Sequence, residues 1–296
     1  MPGPLDRANA IRRSEGWMAL AREALAYLYY NYLESPVLLW HISGGASLRL
    51  GQYDARFALG RSTRYLRDIY DLIQRKRALE LIFLSQELSR GDLFVDVGAF
   101  IGLHTVFAAK IVEVSGHVLA YEPDPIARSV LSTNVRLNRL ETNTEVRSEA
   151  VAERYGFSRL DVNLPLGSSV TMLTDDPLSQ GQTVPTVTLD GELQGSAARL
   201  VKIDVEGHES EVLAGGHTTF HNPSTTILLE LHNGILTDRG LSPRDFFQSL
   251  FTFGKPVYLL TEFVEGKRRA CSPDEKIWVE QGSEWQDNHV ILHRRT

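Results

Sequence analysis

The side chains best placed to move a proton or hold a cation lie in two short runs: Asp204-Val205-Glu206-Gly207-His208-Glu209 and Glu230-Leu231-His232. Each follows an apolar stretch that reads as a buried strand, so each falls where a strand gives way to a loop. Glu230 and His232 are two apart and share one face of an extended chain. Asp204, Glu206, Glu230 and His232 are therefore expected to converge. Carboxylates with one imidazole suit a hard divalent cation such as magnesium or manganese, with Asp204, Glu230 and His232 as its ligands. The same set suits metal-free proton abstraction, most simply by His232, whose ordinary pKa lies near neutrality. Both readings stay open on the residues alone, with Asp204, Glu206 and His232 as the candidate catalytic groups. Lys202 alternates with apolar neighbours and is expected to pair with an acid rather than react. His208 reads as a solvent-facing residue at a helix start. His41, His117 and His289 show no ligand spacing and are read as incidental.

A second chemical signal lies upstream. Asp96-Val97-Gly98-Ala99-Phe100-Ile101-Gly102 sits between an apolar strand and a helix, the place where open α/β sheets hold ligands. Glycine there lets backbone approach a ligand closely. Glu122 closes the following strand, where its carboxylate can accept hydrogen bonds from two ribose hydroxyls. A dinucleotide loop requires glycine where Phe100 stands, and no Gly-Lys-Ser/Thr ending supplies a P-loop. A ligand with a ribose and no phosphates remains, and S-adenosylmethionine is the obvious candidate.

These residues need a frame to position them. Strands are predicted over Leu93–Val97, His117–Tyr121, Glu145–Val151, Leu200–Asp204, Thr226–Leu231, Val257–Phe263 and His289–His293. Helices are predicted over Leu103–Val112, Ile126–Asn138, Glu209–Gly215 and Pro243–Phe251. The alternation implies a mostly parallel sheet covered by helices, and the last two strands, with no clear helix between them, suggest an antiparallel edge pair. Upstream, Ser47–Tyr53 and Ala55–Leu59 read as a hairpin, followed by charged helical segments through Leu88. An amphipathic helix is predicted from Ser14 to Glu34, and Tyr27, Tyr29, Tyr30 and Tyr32 crowd its last turns. We read residues 1–90 as a substrate lid or oligomer contact, the N-terminal helix being the expected homo-oligomer contact, and residues 91–296 as the catalytic domain.

The chain of 296 residues has a hydrophobic fraction of 43% and a charged fraction of 23%, which excludes wholesale disorder. With 37 acidic against 31 basic residues and a net charge of -6, it lacks the basic balance of a generic nucleic-acid binder. The single cysteine, Cys271, excludes an internal disulfide and a cysteine zinc cage, and fits a reducing, cytoplasmic setting. The apolar stretch Trp17–Trp40 is broken by Arg22, Glu23, Asn31, Glu34 and Pro36, too polar to cross a bilayer.

Several runs appear in a telling order: Phe94-Val-Asp-Val-Gly-Ala-Phe-Ile-Gly-Leu-His-Thr, Ala120-Tyr-Glu-Pro-Asp-Pro, Asn134-Val-Arg-Leu-Asn, Val201-Lys-Ile-Asp-Val-Glu-Gly-His-Glu, Leu213-Ala-Gly-Gly and Ile227-Leu-Leu-Glu-Leu-His. Together, over roughly residues 91–235, they resemble the FkbM family of S-adenosylmethionine-dependent methyltransferases. The resemblance implies a class I methyltransferase (Rossmann-like) fold, a seven-stranded mostly parallel sheet with one antiparallel edge strand. It implies methyl transfer to oxygen on a small hydroxylated molecule, often a sugar or polyketide-type natural product. Carried over, Asp96, Gly98, Ala99 and Gly102 line the cofactor's methionine and ribose, with Asp204 beside them. Glu122, next to Pro123, takes the ribose. Glu149 and Ala150 flank the adenine, and His104 and Thr105 open the helix that meets the cofactor carboxylate. Phe100 replaces the asparagine common in the family. N-methylation of a small amine and a non-catalytic nucleoside-binding scaffold are the alternatives.

Overall fold

Short β-branched and leucine-rich runs, several of them ending in or followed by glycine or an acid, set the frame. The computed structural model describes residues 46–50, 52–58, 79–161, 172–174, 181–275 and 289–294; the helix expected over Ser14–Glu34 lies outside them. In chain order the described elements begin with a two-stranded sheet, β1 (Ala46–Leu50) and β2 (Tyr53–Phe57), then helix α1 (Leu79–Glu87). The alternating core follows: β3 (Leu93–Val97), α2 (Leu103–Val112), β4 (His117–Tyr121), α3 (Pro125–Leu137) and β5 (Thr144–Arg147). Next come β6 (Ala150–Val151), β7 (Gly156–Asp161), β8 (Met172–Thr174), β9 (Gln182–Val187) and α4 (Leu189–Leu193). The last part contains β10 (Leu200–Ile203), α5 (Glu209–Gly215), α6 (His217–His221), β11 (Thr226–Glu230), α7 (Asn233–Asp238), α8 (Pro243–Ser249), β12 (Val257–Leu259), α9 (Leu260–Val264) and β13 (His289–Leu292).

The main sheet has seven strands in the order β12-β13-β11-β10-β3-β4-β5. β11, β10, β3, β4 and β5 pair in parallel. β13 runs against both neighbours, β11 and β12, so the reversed strand is the inner member of the expected edge pair. This is the expected mostly parallel α/β fold, with Val95, Val201, Ile227, Leu229 and Val290 fully buried across its middle. Chain order reverses between β3, which continues outward to β4, and β10 on its other side. The carboxyl ends of those strands open a crevice at such a point.

Local chemistry explains several boundaries. Asp124 caps α3 by accepting from the Ile126 and Ala127 amides, and Pro125 takes the first helical position, where its missing N–H costs nothing. Asn134 on α3 and Asn138 at its C-terminal cap, one turn apart, bond the backbone at the end of β2: Asn134 accepts from the Ala58 amide at 2.7 Å and Asn138 from that of Arg56 at 2.9 Å. Asn134 also donates to the Ile101 carbonyl at 2.8 Å, tying the hairpin to the glycine loop.

Two strands end well short of their expected bounds. The run over Glu145–Val151 splits: β5 stops at Arg147, and Ala150–Val151 pairs instead with β9 in a separate four-stranded sheet, β6-β9-β7-β8. There Ala150 packs with Leu160 and Val184. The run over Val257–Phe263 changes period after Leu259, because Leu260 and Phe263 bury one helix face and Phe263 meets Phe83 of α1 edge-on at 5.5 Å. Among the described residues no helix is long and apolar enough to cross a membrane.

Candidate functional site

The glycine loop is built by contact between backbones. Gly98 has φ +81°, and a Cβ there would overlap the carbonyl oxygen of Asp204. The glycine is needed because the loop after β3 lies against the end of β10. The amides of Gly98 and Ala99 both donate to the Tyr121 carbonyl at 3.1 and 3.0 Å, Gly102 donates to Ala99 at 2.8 Å, and Phe100 donates to Glu122 Oε2 at 2.7 Å. With these amides committed inside the protein, the loop offers no nest for a phosphate, which agrees with a phosphate-free ligand. Phe100 adopts φ +52°, a left-handed conformation that asparagine tolerates better.

Glu122 is 6% exposed at the end of β4. Its other oxygen accepts from the Asp124 amide at 2.8 Å, and Arg128 braces the carbonyls of Glu122 and Pro123 at 2.8 Å each. Burial pushes the Glu122 pKa up to about 7, although the two amide donors pull the other way. Each carboxylate oxygen receives one of these amides and retains a second lone pair. Asp96 is wholly buried; one oxygen accepts the Thr105 hydroxyl at 2.6 Å and the other has no hydrogen-bond partner among the described residues. The Thr105 side chain thus turns inward toward β3. No side chain caps the first turn of α2, so its leading N–H groups can meet an anion. Glu149 lies in the bend between β5 and β6, and Ala150 faces the second sheet's core.

The acidic runs meet at the ends of β10 and β11. Lys202, only 2% exposed, pairs with Asp204 Oδ2 at 2.8 Å. Burial would lower its pKa, but Asp204, Asp96 and Glu80 hold it above the usual lysine range. The Asp204 carboxyl is held below the usual range, because Lys202 and His232 outweigh the opposing effect of burial. Nε2 of His232 lies 3.2 Å from Glu206, 3.8 Å from Asp204 and 3.8 Å from Glu230. Its Nδ1 meets Glu209 Oε1 at 2.6 Å, and Glu209, 0% exposed, also accepts the Gly207 amide at 2.9 Å. Burial alone would lower the His232 pKa; the Glu209 bond and the Glu206, Glu230 and Asp204 charges raise it to about 9. Burial raises Glu206 to about 7, aided by the neighbouring carboxylates and opposed by His232.

The structure therefore brings together Asp204, Glu206, Glu230 and His232. Ligand atoms of Asp204, Glu230 and His232 lie within 4.8 Å of one another. The Glu209 contact at Nδ1 directs Nε2 toward the carboxylates, as an outer carboxylate does behind a metal-bound or basic imidazole. His208 starts α5 as expected but is buried rather than solvent-facing. Sequence reasoning missed Glu80, Glu209 and His289. His289, read as incidental, lies 2.6 Å from Glu80 and 3.3 Å from Glu230. Its position opposite Glu230 depends on the β11–β13 register, which no local spacing encodes.

Glu206 itself is strained, with φ +52°. Glu206→Gly should raise unfolding free energy by about 1–2 kcal/mol by relieving that conformation, while removing the carboxylate from the cluster. Urea unfolding measures the change; a loss of stability would show that the carboxylate contributes more to the fold than the conformation costs.

The model of the Methyltransferase FkbM domain matches residues 96–255. The Hexuronic acid methyltransferase AglP of Haloferax volcanii is 27% identical over 231 residues, 76% of this chain and 83% of that protein. Among solved structures, Methyltransferase FkbM from Methylobacillus flagellatus KT aligns with a TM-score of 0.45 and 14% identity, over 78% of this chain. That alignment covers 55% of the Methylobacillus protein, so the chain spans about half its length. The Precorrin-6y C5,15-methyltransferase from Geobacter metallireducens GS-15 aligns at a TM-score of 0.38 and 13% identity, over 63% of this chain and 76% of that one.

Proposed function

The chain belongs to the FkbM methyltransferase family and is an S-adenosylmethionine-dependent methyltransferase, and from that premise we propose that it methylates a hydroxyl of a small sugar-type molecule. The observation that carries the proposal is the convergence of Asp204, Glu206 and Glu230 on Nε2 of His232 beside the glycine loop. When bound, S-adenosylmethionine supplies a methyl already activated as a sulfonium. Glu122 accepts the ribose hydroxyls through its remaining lone pairs, and the uncapped start of α2 faces the cofactor carboxylate.

The chain's remaining task is to hold an alcohol in line with the methyl and to acidify it. Alignment is worth on the order of 7–11 kcal/mol. A sugar hydroxyl is a weak nucleophile, and the carboxylate–imidazole cluster is suited to acidify it. Asp204, Glu230 and His232 supply two carboxylates and one imidazole, a donor set that fits magnesium or manganese. Such an ion, held there, would lower the hydroxyl pKa. Glu209 fixes the His232 ring, and Lys202 fixes Asp204. The relationship to a hexuronic acid methyltransferase supports a carbohydrate acceptor. We further propose a cytoplasmic enzyme in which residues 1–90 form a substrate lid or an oligomer contact and residues 91–296 the catalytic domain.

Radiolabelled-methyl transfer to a panel of sugars, uronic acids and amines tests this. Label should enter alcohols as an ether, and exhaustive chelation should abolish transfer. Labelling of amines alone would overturn the oxygen acceptor. Full activity after chelation would overturn the cation, and cofactor binding with no turnover on any acceptor would favour a scaffold.

A further inference from the structure

We infer that the cluster holds a second divalent cation, bound by Glu80, Glu230 and His289 and sharing Glu230 with the ion proposed at Asp204 and His232. The inference rests on that proposal and extends it from one ion to a pair.

Glu230 ends β11, and its two oxygens serve different partners. Oε1 lies 3.8 Å from Nε2 of His232, and Oε2 lies 3.3 Å from Nε2 of His289. A carboxylate offering one oxygen to each of two imidazole-bearing sets is suited to bridge paired ions. Strand register delivers His289, directly opposite Glu230 on β13. Helix α1 delivers Glu80, whose Oε1 lies 2.6 Å from the same Nε2. Ligand atoms of Glu80, Glu230 and His289 lie within 4.8 Å of one another, the same limit met by Asp204, Glu230 and His232. One ring nitrogen carries at most one proton, which can make a linear hydrogen bond to only one of the two carboxylates. A cation among the three groups satisfies all of them.

Two further observations point the same way. The first set has an outer partner behind a ligand, Glu209 behind His232 at 2.6 Å, and beside the second set Nε2 of His104 lies 3.6 Å from Glu80 Oε2, beyond hydrogen-bond reach. That His104 nitrogen is buried with no hydrogen-bond partner among the described residues. The local charge is also unbalanced. Glu80, Asp96, Asp204, Glu206, Glu209 and Glu230 gather around the cationic Lys202 and the two imidazoles. Two divalent ions bring that set closer to neutrality than one. An acceptor meeting such a pair would be gripped through two neighbouring oxygens, as a vicinal diol or a hydroxy acid offers.

The test is titration of manganese alone into the full-length chain, read by equilibrium dialysis and electron paramagnetic resonance. Wild type should bind two ions with a spin-coupled signal. His289→Ala and Glu80→Gln should each leave one uncoupled ion, and His232→Gln should leave the other. Glu80→Gln is the milder change and reads the same site if His289→Ala does not fold. A single ion that His232→Gln removes and Glu80→Gln does not touch would overturn the second site while leaving the first. No bound ion in wild type would overturn both.

Discussion

Gly98→Ala is expected to destabilise the protein by on the order of 2–5 kcal/mol and to abolish methyl transfer. The position holds φ +81°, and the new methyl would occupy the space of the Asp204 carbonyl oxygen. Left-handed strain costs about 1–2 kcal/mol for an L-residue, and forced overpacking against backbone about 1–3 more. No flexible side chain is available to give way. Relief requires the loop after β3 to part from the end of β10, which carries Asp204 away from His232. Even a folded remnant should therefore be inactive, because the loop and the acidic cluster are positioned by the same contact. Urea unfolding and labelled-methyl turnover together check this. A variant of near-normal stability and activity would show that the two loops are not held in contact.

His232→Gln should reduce kcat by about 10²–10⁴-fold, the span of a lost acid–base or ligating group, and leave S-adenosylmethionine affinity unchanged. Glutamine is the informative replacement. Its amide can still donate to Glu209, which is 0% exposed and would otherwise be a buried charge missing its partner. What glutamine lacks is an imidazole nitrogen among Asp204, Glu206 and Glu230. Single-turnover rates with saturating cofactor separate this from a binding defect. A kcat within about threefold of wild type, well short of that span, would remove His232 from the chemistry.

Local features of the site were legible in the sequence because local features determine them. The glycine loop, the acids ending β4, β10 and β11, and the alternation of strand and helix all depend on residues near in sequence. The convergence of Asp204, Glu206, Glu230 and His232 follows from parallel neighbours delivering their ends to one edge of the sheet. What escaped detection depends on long-range pairing. His289 has no neighbour in sequence that marks it, and only the antiparallel register sets it opposite Glu230. Glu80 enters from α1, whose docking no motif announces. Ala150–Val151 reads as a continuation of β5 until β9, far along the chain, provides a different partner. The reason for Gly98 was likewise hidden, since the atom it accommodates belongs to Asp204.

Everything depends on the crevice beside Glu122 accepting an adenosine sulfonium by its pentose. Calorimetric titration of S-adenosylmethionine into wild type and Glu122→Gln, across roughly one pH unit either side of neutrality, addresses this most directly. Burial keeps the proton on Glu122 up to about pH 7 in the free protein, whereas two ribose hydroxyls donate to the ionised form. Below that pH the carboxyl must lose a proton to bind, so affinity should fall by up to about tenfold per unit; above it, affinity should level off. Glu122→Gln should bind weakly with no such slope. An absence of heat with S-adenosylmethionine at every pH, while NADH or ATP binds the same crevice, would contradict the account.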